Sequence, residues 1–498
     1  MSRTLRTPND VYSRRLAPSA GARSGKGFWI AGILALVAGL ALRIWLFRQL
    51  YLVDGDSLLY GDLAKNLLLH GRYAFSAPGG GLDPTLIRLP GYPLFLAVCF
   101  RLFGMENYFA AGCIQIVLDL AACLFIADFA RRIAPAALGR KAGMAALWLS
   151  AICPFTAAYS GTALTEGPTI FTLALAAWAA ARFRERPGWP AALWFTSALT
   201  TAALLRPDGA LAAAALAPTL VVGLPSSAIV RRKLARMALV CVLLALAPFA
   251  AWTFRNWRVF HVFQPLAPRL ANNPGEDPHL GWERWVKTWS LDFVSTYEVY
   301  WNVPGDWLDV SKLPSRAFDS SQQLAVTAAL ADDYNRSGMQ LTPALDARFA
   351  ALTRERTAAH PLRTYLGLPI GRVADMLFRP RVEDLPIDLD WWVWSHHHTE
   401  TLFSWGYAAL NALYFFVGFA GLWLRPRLWF TFPAYFVLRC ALLASVAGTE
   451  ARYTLEFFPF LCAFGGVAIA SWSGIPEFSS MNREPHFNSS PRCGSGKT

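Results

Sequence analysis

The sequence predicts an all-α polytopic membrane protein with about ten transmembrane helices and one large outer loop. Of its 498 residues, 55% are hydrophobic and 16% are charged, whereas a soluble domain carries about 25% charged residues. Apolar runs about 20 residues long, the length that spans a bilayer, recur from Phe28–Phe47 to Leu455–Trp472. Because lipid offers the backbone no hydrogen-bond partner, these runs must be helices.

Apolar segments alternate with polar connections along the whole chain. We place the predicted spans at residues 28–50, 108–130, 142–160, 167–183, 190–206, 208–224, 237–254, 403–424, 428–446 and 455–473. The segment Leu362–Phe378 is a candidate for a further helix lying in the membrane interface.

The net charge of +13 could indicate an anionic partner such as nucleic acid, but its distribution favours a topological cause. Lys and Arg cluster at residues 3–26, 131–141, 182–186, 231–236 and 425–427. With the predicted spans, all of these clusters lie on one side, which the positive-inside rule makes cytoplasmic. We therefore expect no nucleic-acid partner, and we expect both termini in the cytoplasm.

This topology divides the chain into five parts. They are a basic cytoplasmic arm (1–27), a transmembrane core (28–254) that includes the first outer loop (51–107), a large outer loop (255–402), C-terminal transmembrane helices (403–473) and a disordered cytoplasmic tail (474–498).

The first outer loop contains two predicted helices that are too short or too polar to span. Asp56–Leu69 is an amphipathic helix, with Leu59, Leu63, Asn66 and Leu67 near one face, and Gly71 ends it. A second, apolar helix starts near Pro90 and runs to Phe103, lying along the membrane interface.

Acidic and basic residues gather at the outer ends of the predicted spans. The candidates are Asp54, Asp56, Arg88, Glu166, Arg206, Arg255, Arg258, Glu450 and Arg452, with Tyr453 beside them. Charges at membrane depth are costly, so each needs a partner or a task. A carboxylate can act as a general base, and guanidinium groups can hold a phosphate. The alternative is that they are anchors at the membrane surface or helix caps.

Two patterns raise the question of a metal ion. Asp54 and Asp56 form an Asp-x-Asp pair, which divalent cations favour. His396–His398 could also bind a metal, but adjacent residues on a helix do not share a face, and the nearby Trp391 and Trp392 favour an interfacial aromatic belt. We expect no cofactor and no metal site, and a divalent cation remains the open alternative.

Five stretches, in a fixed order along the chain, carry a resemblance to a known family. They are Asp56-Ser-Leu-Leu-Tyr60 with His70-Gly71, Arg88-Leu-Pro-Gly-Tyr-Pro-Leu-Phe95, Ala163-Leu-Thr-Glu166-Gly-Pro168, Trp252-Thr-Phe-Arg255-Asn256 and Glu450-Ala-Arg452-Tyr453. Together they resemble the GT-C glycosyltransferases that use polyprenyl-phosphate sugars. This group includes the dolichyl-phosphate-mannose protein mannosyltransferases and the bacterial aminoarabinose and lipopolysaccharide-sugar transferases. The likeness covers about residues 28–270 and 400–473.

The resemblance implies a role for each matching residue. Asp56 would be the catalytic base, and Glu166 the second catalytic acid, which positions the acceptor. The substrate-binding residues would be Asp54, Tyr60, Arg88, Tyr92, Arg255, Arg452 and Tyr453, with the three arginines on the donor phosphate. The acidic neighbour that follows the catalytic Asp in the family is Ser57 here.

The resemblance also implies a function and a location. The chain would transfer a sugar from a polyprenyl-phosphate donor to a lipid, saccharide or protein acceptor, by an inverting displacement. It would lie in the bacterial inner membrane with its active site facing the periplasm. Two alternatives stay open: a flippase or transporter of lipid-linked sugars, which would need charges at the bilayer midplane, and a non-catalytic envelope assembly protein.

Overall fold

The computed structural model describes residues 24–221 and 228–473. Most of the predicted basic arm, the predicted tail and the end of the predicted span 208–224 lie outside these ranges. Within them the chain is helical, apart from loops and one small antiparallel sheet of two strands. The predicted all-α fold class is therefore confirmed.

The elements follow one another along the chain with these bounds. They are α1 (Ser24–Leu50), α2 (Gly55–His70), β1 (Ala74–Ser76), β2 (Leu82–Pro84), α3 (Gly91–Phe103), α4 (Tyr108–Ile133), α5 (Gly139–Ala151), α6 (Pro154–Tyr159), α7 (Glu166–Glu185), α8 (Trp189–Leu205), α9 (Gly209–Leu216), α10 (Pro218–Val221), α11 (Ala228–Phe260), α12 (Leu280–Lys287), α13 (Phe293–Ser295), α14 (Ser321–Arg336), α15 (Pro343–Ala359), α16 (Leu368–Phe378), α17 (His398–Trp423), α18 (Thr431–Leu443) and α19 (Phe458–Trp472). A 3-10 turn, Ala451–Phe457, leads into α19.

Helices occupy all ten predicted span positions in the described chain, but they differ in length. By length and composition, five could cross a membrane: Lys26–Leu50, Tyr108–Ile133, Arg231–Phe260, His398–Trp423 and Ala451–Trp472. The predicted span 142–160 is two helices, α5 and α6, because the chain turns at Ile152 and Cys153 before Pro154. Helix α18 has 13 residues, about 20 Å, so the exact number of crossings stays a prediction.

Helix α19 is the centre of the bundle, and α11 lies at its edge. In the apolar window of Ala451–Trp472, 89% of residues are buried, against 11% for Arg231–Phe260. Helix α19 packs against α4, α5 and α17. The approach to α17 is close enough that a Cβ at Gly421 would lie 1.8 Å from the carbonyl oxygen of Phe464. A lipid-facing helix such as α11 instead exposes its apolar side chains.

Polar groups inside the bundle pair with one another. Gln115 and Asp119 of α4 are buried and face other helices. Arg43 of α1 donates from Nε to Oδ2 of Asp119 over 2.7 Å, with both side chains almost fully buried. Gln115 accepts a hydrogen bond of 2.7 Å from the hydroxyl of Tyr92. These contacts fix α1 and α3 against α4.

The large loop between α11 and α17 has a hydrophobic core of its own. Helices α12 and α15 pack together through Trp285, Trp289 and Phe349, all fully buried. The predicted interfacial segment Leu362–Phe378 is helical, as a π-helical turn followed by α16. The loop is thus a small folded unit on the same chain as the bundle.

The close approach of α17 and α19 predicts that Gly421→Ala destabilises the protein. The added methyl must push the two helices apart, at a cost of about 1–3 kcal/mol, so the melting temperature of the detergent-solubilised protein should fall. Gly406→Ala is the matched control, because a Cβ at Gly406 on the same helix meets nothing within 4 Å. Equal melting temperatures for the two variants would contradict the packing described here.

Candidate functional site

Helix α2 carries Asp56 in its first turn, where a carboxylate is stabilised by the helix N-terminus. The chain enters it through Gly55, whose φ of 47° is a left-handed conformation that glycine adopts without strain. The helix ends as predicted at Gly71, also left-handed with φ 63°. Asp54, the residue before Gly55, is exposed.

The buried face of α2 differs in one position from the predicted one. Leu63 and Asn66 are buried, but Leu59 is 38% exposed. The face turns because Gly61 lies under the hydroxyl of Tyr108, where a Cβ would come within 1.6 Å of the oxygen. This contact sets the rotation of α2 and so the direction in which Asp56 points.

Arg88 reaches Asp56 from the segment between the β1–β2 hairpin and α3. Its Nη2 donates to Oδ1 of Asp56 over 2.9 Å. The backbone there is held by Tyr73, whose hydroxyl donates to the carbonyl oxygens of Arg88 and Leu89 over 3.1 and 3.2 Å.

Arg452 reaches the same carboxylate from the other end of the chain. It lies in the 3-10 turn before α19, and its Nη2 is 3.3 Å from Oδ2 of Asp56. Its Nε contacts Glu450 and lies 3.9 Å from Oε1 of Glu166. Asp56 is therefore held between two guanidinium groups that are far apart in sequence.

A second layer of charges lies beneath this first one. Arg206 contacts three carboxylates: Glu166 at 2.9 Å, Asp208 at 3.3 Å and Glu456 at 3.5 Å. Arg439 then contacts Asp208 at 2.6 Å and Glu456 at 2.7 Å. Each charge in this layer thus has at least one partner of opposite sign, as burial requires.

Sequence reasoning missed Asp208, Arg439 and Glu456 as members of the site. Their positions could have indicated them, because all three residues fall inside predicted spans, where an ionisable residue needs a partner of opposite charge. Sequence alone could not show that this partner network continues into the Asp56 cluster.

The two layers differ in solvent access. The side chains of Asp56, Arg88 and Arg452 are 29%, 25% and 18% exposed, whereas those of Arg439 and Glu456 are 1% and 0% exposed. The upper layer is therefore the part that a substrate can contact, and the lower layer fixes its geometry.

The electrostatic balance keeps Asp56 ionised. Burial by itself would raise the pKa of Asp56, but the positive charges of Arg88 and Arg452 outweigh it and hold the pKa below its ordinary value. Burial also raises the pKa of Tyr60 to about 12, so its hydroxyl stays protonated. At neutral pH the site offers a carboxylate beside a neutral phenol.

The other predicted residues are placed as follows. Tyr60 contacts Tyr92 edge to face, with ring centroids 5.0 Å apart. The ring of Tyr453 lies 5.8 Å from the guanidinium of Arg452. The structure does not bring Arg255 into the cluster: it donates to the backbone carbonyls of Tyr73 and Thr85. In this position Arg255 supports the hairpin that precedes Arg88.

In the described chain, one group meets the distances of a metal site, and it consists of Asp388, Asp390 and His397. Asp54 and Asp56 do not form such a group with a third ligand there. A divalent cation at that pair therefore remains an untested alternative.

Residues 84–252 match the family model of the dolichyl-phosphate-mannose-protein mannosyltransferases. The match includes Arg88 and Glu166 and ends at Trp252, and it leaves out Asp56 and Arg452. It confirms the resemblance to GT-C glycosyltransferases. No curated protein sequence matches the chain.

The comparison with solved structures finds distant likenesses at low identity. The oligosaccharyltransferase of Archaeoglobus fulgidus, solved with a tethered acceptor peptide, is 14% identical with a TM-score of 0.46, over 90% of this chain and 50% of that one. The same archaeal protein, AglB, in complex with an inhibitory peptide and a dolichol-phosphate, is 13% identical with a TM-score of 0.44, over 89% of this chain and 50% of that one. ArnT from Cupriavidus metallidurans in the apo state is 15% identical with a TM-score of 0.36, over 90% of this chain and 78% of that one. The chain thus spans about half the length of the archaeal enzyme, and likenesses this distant assign it no substrate.

The lower layer predicts that Arg439→Ala destabilises the protein strongly. Removing this guanidinium leaves the carboxylates of Asp208 and Glu456 short of positive charge in a buried place, which costs about 3–5 kcal/mol. The midpoint of thermal unfolding in detergent measures the loss. Arg236→Ala is the control, since Arg236 is exposed on α11 and should melt as the unchanged protein does; a similar midpoint for Arg439→Ala would refute the network.

Proposed function

We propose that this chain, a multi-pass membrane glycosyltransferase of the GT-C superfamily, transfers a sugar from a polyprenyl-phosphate donor to a hydroxyl of an acceptor. The observation that carries the proposal is the Asp56 carboxylate held between Arg88 and Arg452 in the partly exposed layer. A base and two phosphate-binding groups then stand within one site.

Arg88 and Arg452 suit the donor phosphate. Each guanidinium has five N–H donors, and each uses one terminal nitrogen for Asp56. The remaining donors, apart from the Nε of Arg452 that contacts Glu450, can take up phosphate oxygens. As the bond between the anomeric carbon and the phosphate oxygen breaks, negative charge grows on the phosphate, and two fixed positive charges stabilise it.

Asp56 suits the acceptor. Its carboxylate takes the proton of the attacking hydroxyl while the hydroxyl oxygen bonds to the anomeric carbon on the face opposite the phosphate. The sugar is transferred with inversion, the proton ends on Asp56, and the phosphate leaves on its carrier. We assign Glu166, which is buried and fixed by Arg206 at 2.9 Å, to positioning the acceptor through its neighbour Arg452 rather than by direct contact.

Helix α3 offers a place for the carrier tail beside the site. Its inner face buries Tyr92 and Leu96, while Val98 and Leu102 are 59% and 69% exposed. An exposed apolar face on a short helix fits the membrane interface. We place the site at the periplasmic face of a bacterial inner membrane, with lipid, saccharide or protein as the acceptor class.

Asp56→Asn should remove transfer, because the amide cannot accept the proton of the acceptor. A fall of about 100-fold or more is expected, measured as labelled sugar moved from a polyprenyl-phosphate donor by the purified protein in lipid. Asp83→Asn is the control: Asp83 is an exposed acid in the same loop and should leave the rate unchanged. Full activity of Asp56→Asn would exclude the base, and movement of the donor across the bilayer without product would indicate a flippase.

Arg88→Ala should shift the acidic limb of the pH–rate profile to higher pH. Burial of Asp56 remains while one of the two opposing positive charges is lost, so the pKa of Asp56 rises and the carboxylate is protonated at a higher pH than before. The measurement is kcat/KM from about pH 3 to 8, and the limb to follow is the one that lies below the ordinary Asp pKa of about 4 in the unchanged protein. Arg88→Lys, which keeps the charge, should leave the limb near its original position, and an unmoved limb in Arg88→Ala would contradict the assignment.

A further inference from the structure

We propose that Asp384, in the large outer loop, is a further substrate-contacting residue of this same site, accepting a hydrogen bond from a hydroxyl or ammonium group of the transferred sugar. The inference rests on the proposed function and extends it to a part of the chain that carries no family motif. Under this proposal the large loop contributes a side chain that recognises the sugar.

The loop is anchored to the turn that carries Arg452. Arg381 is 7% exposed, and it donates to the carbonyl oxygen of Ala451 over 2.6 Å and to Oδ1 of Asn411 over 3.1 Å. Ala451 is the residue next to Arg452. Asp384 lies three residues after this anchor, so its position relative to the site is fixed by buried hydrogen bonds.

The carboxyl of Asp384 faces the charged cluster. It accepts a hydrogen bond from the hydroxyl of Tyr159, at the end of α6, and lies within electrostatic range of Arg452. Its neighbour Glu383 points inward instead, to Arg379 at 2.7 Å. Asp384 is an exposed residue, so a ligand can reach it, although protein groups that include the Tyr159 hydroxyl surround its carboxyl.

The groups around Asp384 determine the pKa of its carboxyl. Removal of the carboxyl from water by the surrounding protein raises the pKa of Asp384 most, the Tyr159 hydrogen bond and Arg452 lower it, Glu450 and Glu166 raise it further, and the result is a pKa of about 6. The charged and titratable groups near it are Tyr159 from α6, Glu166 from α7, Tyr407 from α17, Glu450 and Arg452 at the start of the turn before α19, and Glu383 beside it. Above about pH 6 the Asp384 carboxyl is an anion, and both of its oxygens can only accept hydrogen bonds. Below that pH one oxygen carries a proton and donates instead.

This chemistry favours one class of substrate group. A carboxylate walled by Tyr159 and by other acids is a poor place for the donor phosphate, which Arg88 and Arg452 serve. It is a good place for the hydrogen-bond donors of a sugar, either hydroxyl groups or a protonated amine. Asp384 and Asp56 therefore contact different parts of the reactants.

The test compares kcat and KM of Asp384→Asn with those of Asp332→Asn, between about pH 5 and 8. Both changes remove one exposed acid from the same loop. For the unchanged protein and for Asp332→Asn, kcat/KM should rise as the pH passes upward through about 6. For Asp384→Asn this limb should disappear, with kcat/KM lower by about 10- to 100-fold above it, and Asp384→Glu should restore the limb.

Two results would overturn the inference. One is an unchanged profile in Asp384→Asn. The other is a lower rate with the limb still present, which would show that Asp384 supports only the loop. Failure of the proposed function gives a different result, because the unchanged protein would then move no sugar at any pH, and the inference would fall with it.

Discussion

The cost of placing charge in an apolar medium is the constraint on which this structure depends. A carboxylate or guanidinium in the bundle requires a partner of opposite sign, and the described chain meets this requirement with a continuous series of ion pairs. The series runs from Arg88 through Asp56 and Arg452 to Glu166 and Arg206, and on to the buried Arg439. This series ties together six separate segments of the chain.

This series explains how a site for phosphate and proton transfer can be both rigid and accessible. Arg439 and Glu456 are sealed inside the bundle, where their mutual attraction is strong. They hold Arg206, which in turn holds Glu166 beneath the exposed layer. Asp56 and its two guanidinium groups are then fixed from below, while their upper side remains open to solvent. Preorganised charges of this kind stabilise a developing charge without having to rearrange.

The large outer loop is fixed to the same charged cluster. Its own core of Trp285, Trp289 and Phe349 makes it a folded unit, and Arg381 fastens its later part to the turn beside Arg452. A loop fastened in this way can bring side chains to the site with little loss of conformational entropy on binding. The acids that it presents therefore act in a fixed place relative to Asp56.

The sequence by itself determined the helical fold class, the ten helical positions, the two short helices of the first outer loop, and the resemblance to the family whose model matches residues 84–252. These follow from local properties: apolar runs, capping glycines and short motifs. Only the tertiary structure decided that Asp56 meets both Arg88 and Arg452, that Arg255 instead supports the hairpin backbone, and that Asp208, Arg439 and Glu456 form the layer beneath. Which charges pair depends on helix rotation and packing, set by contacts such as Gly61 with Tyr108, and no local pattern encodes such distant approaches.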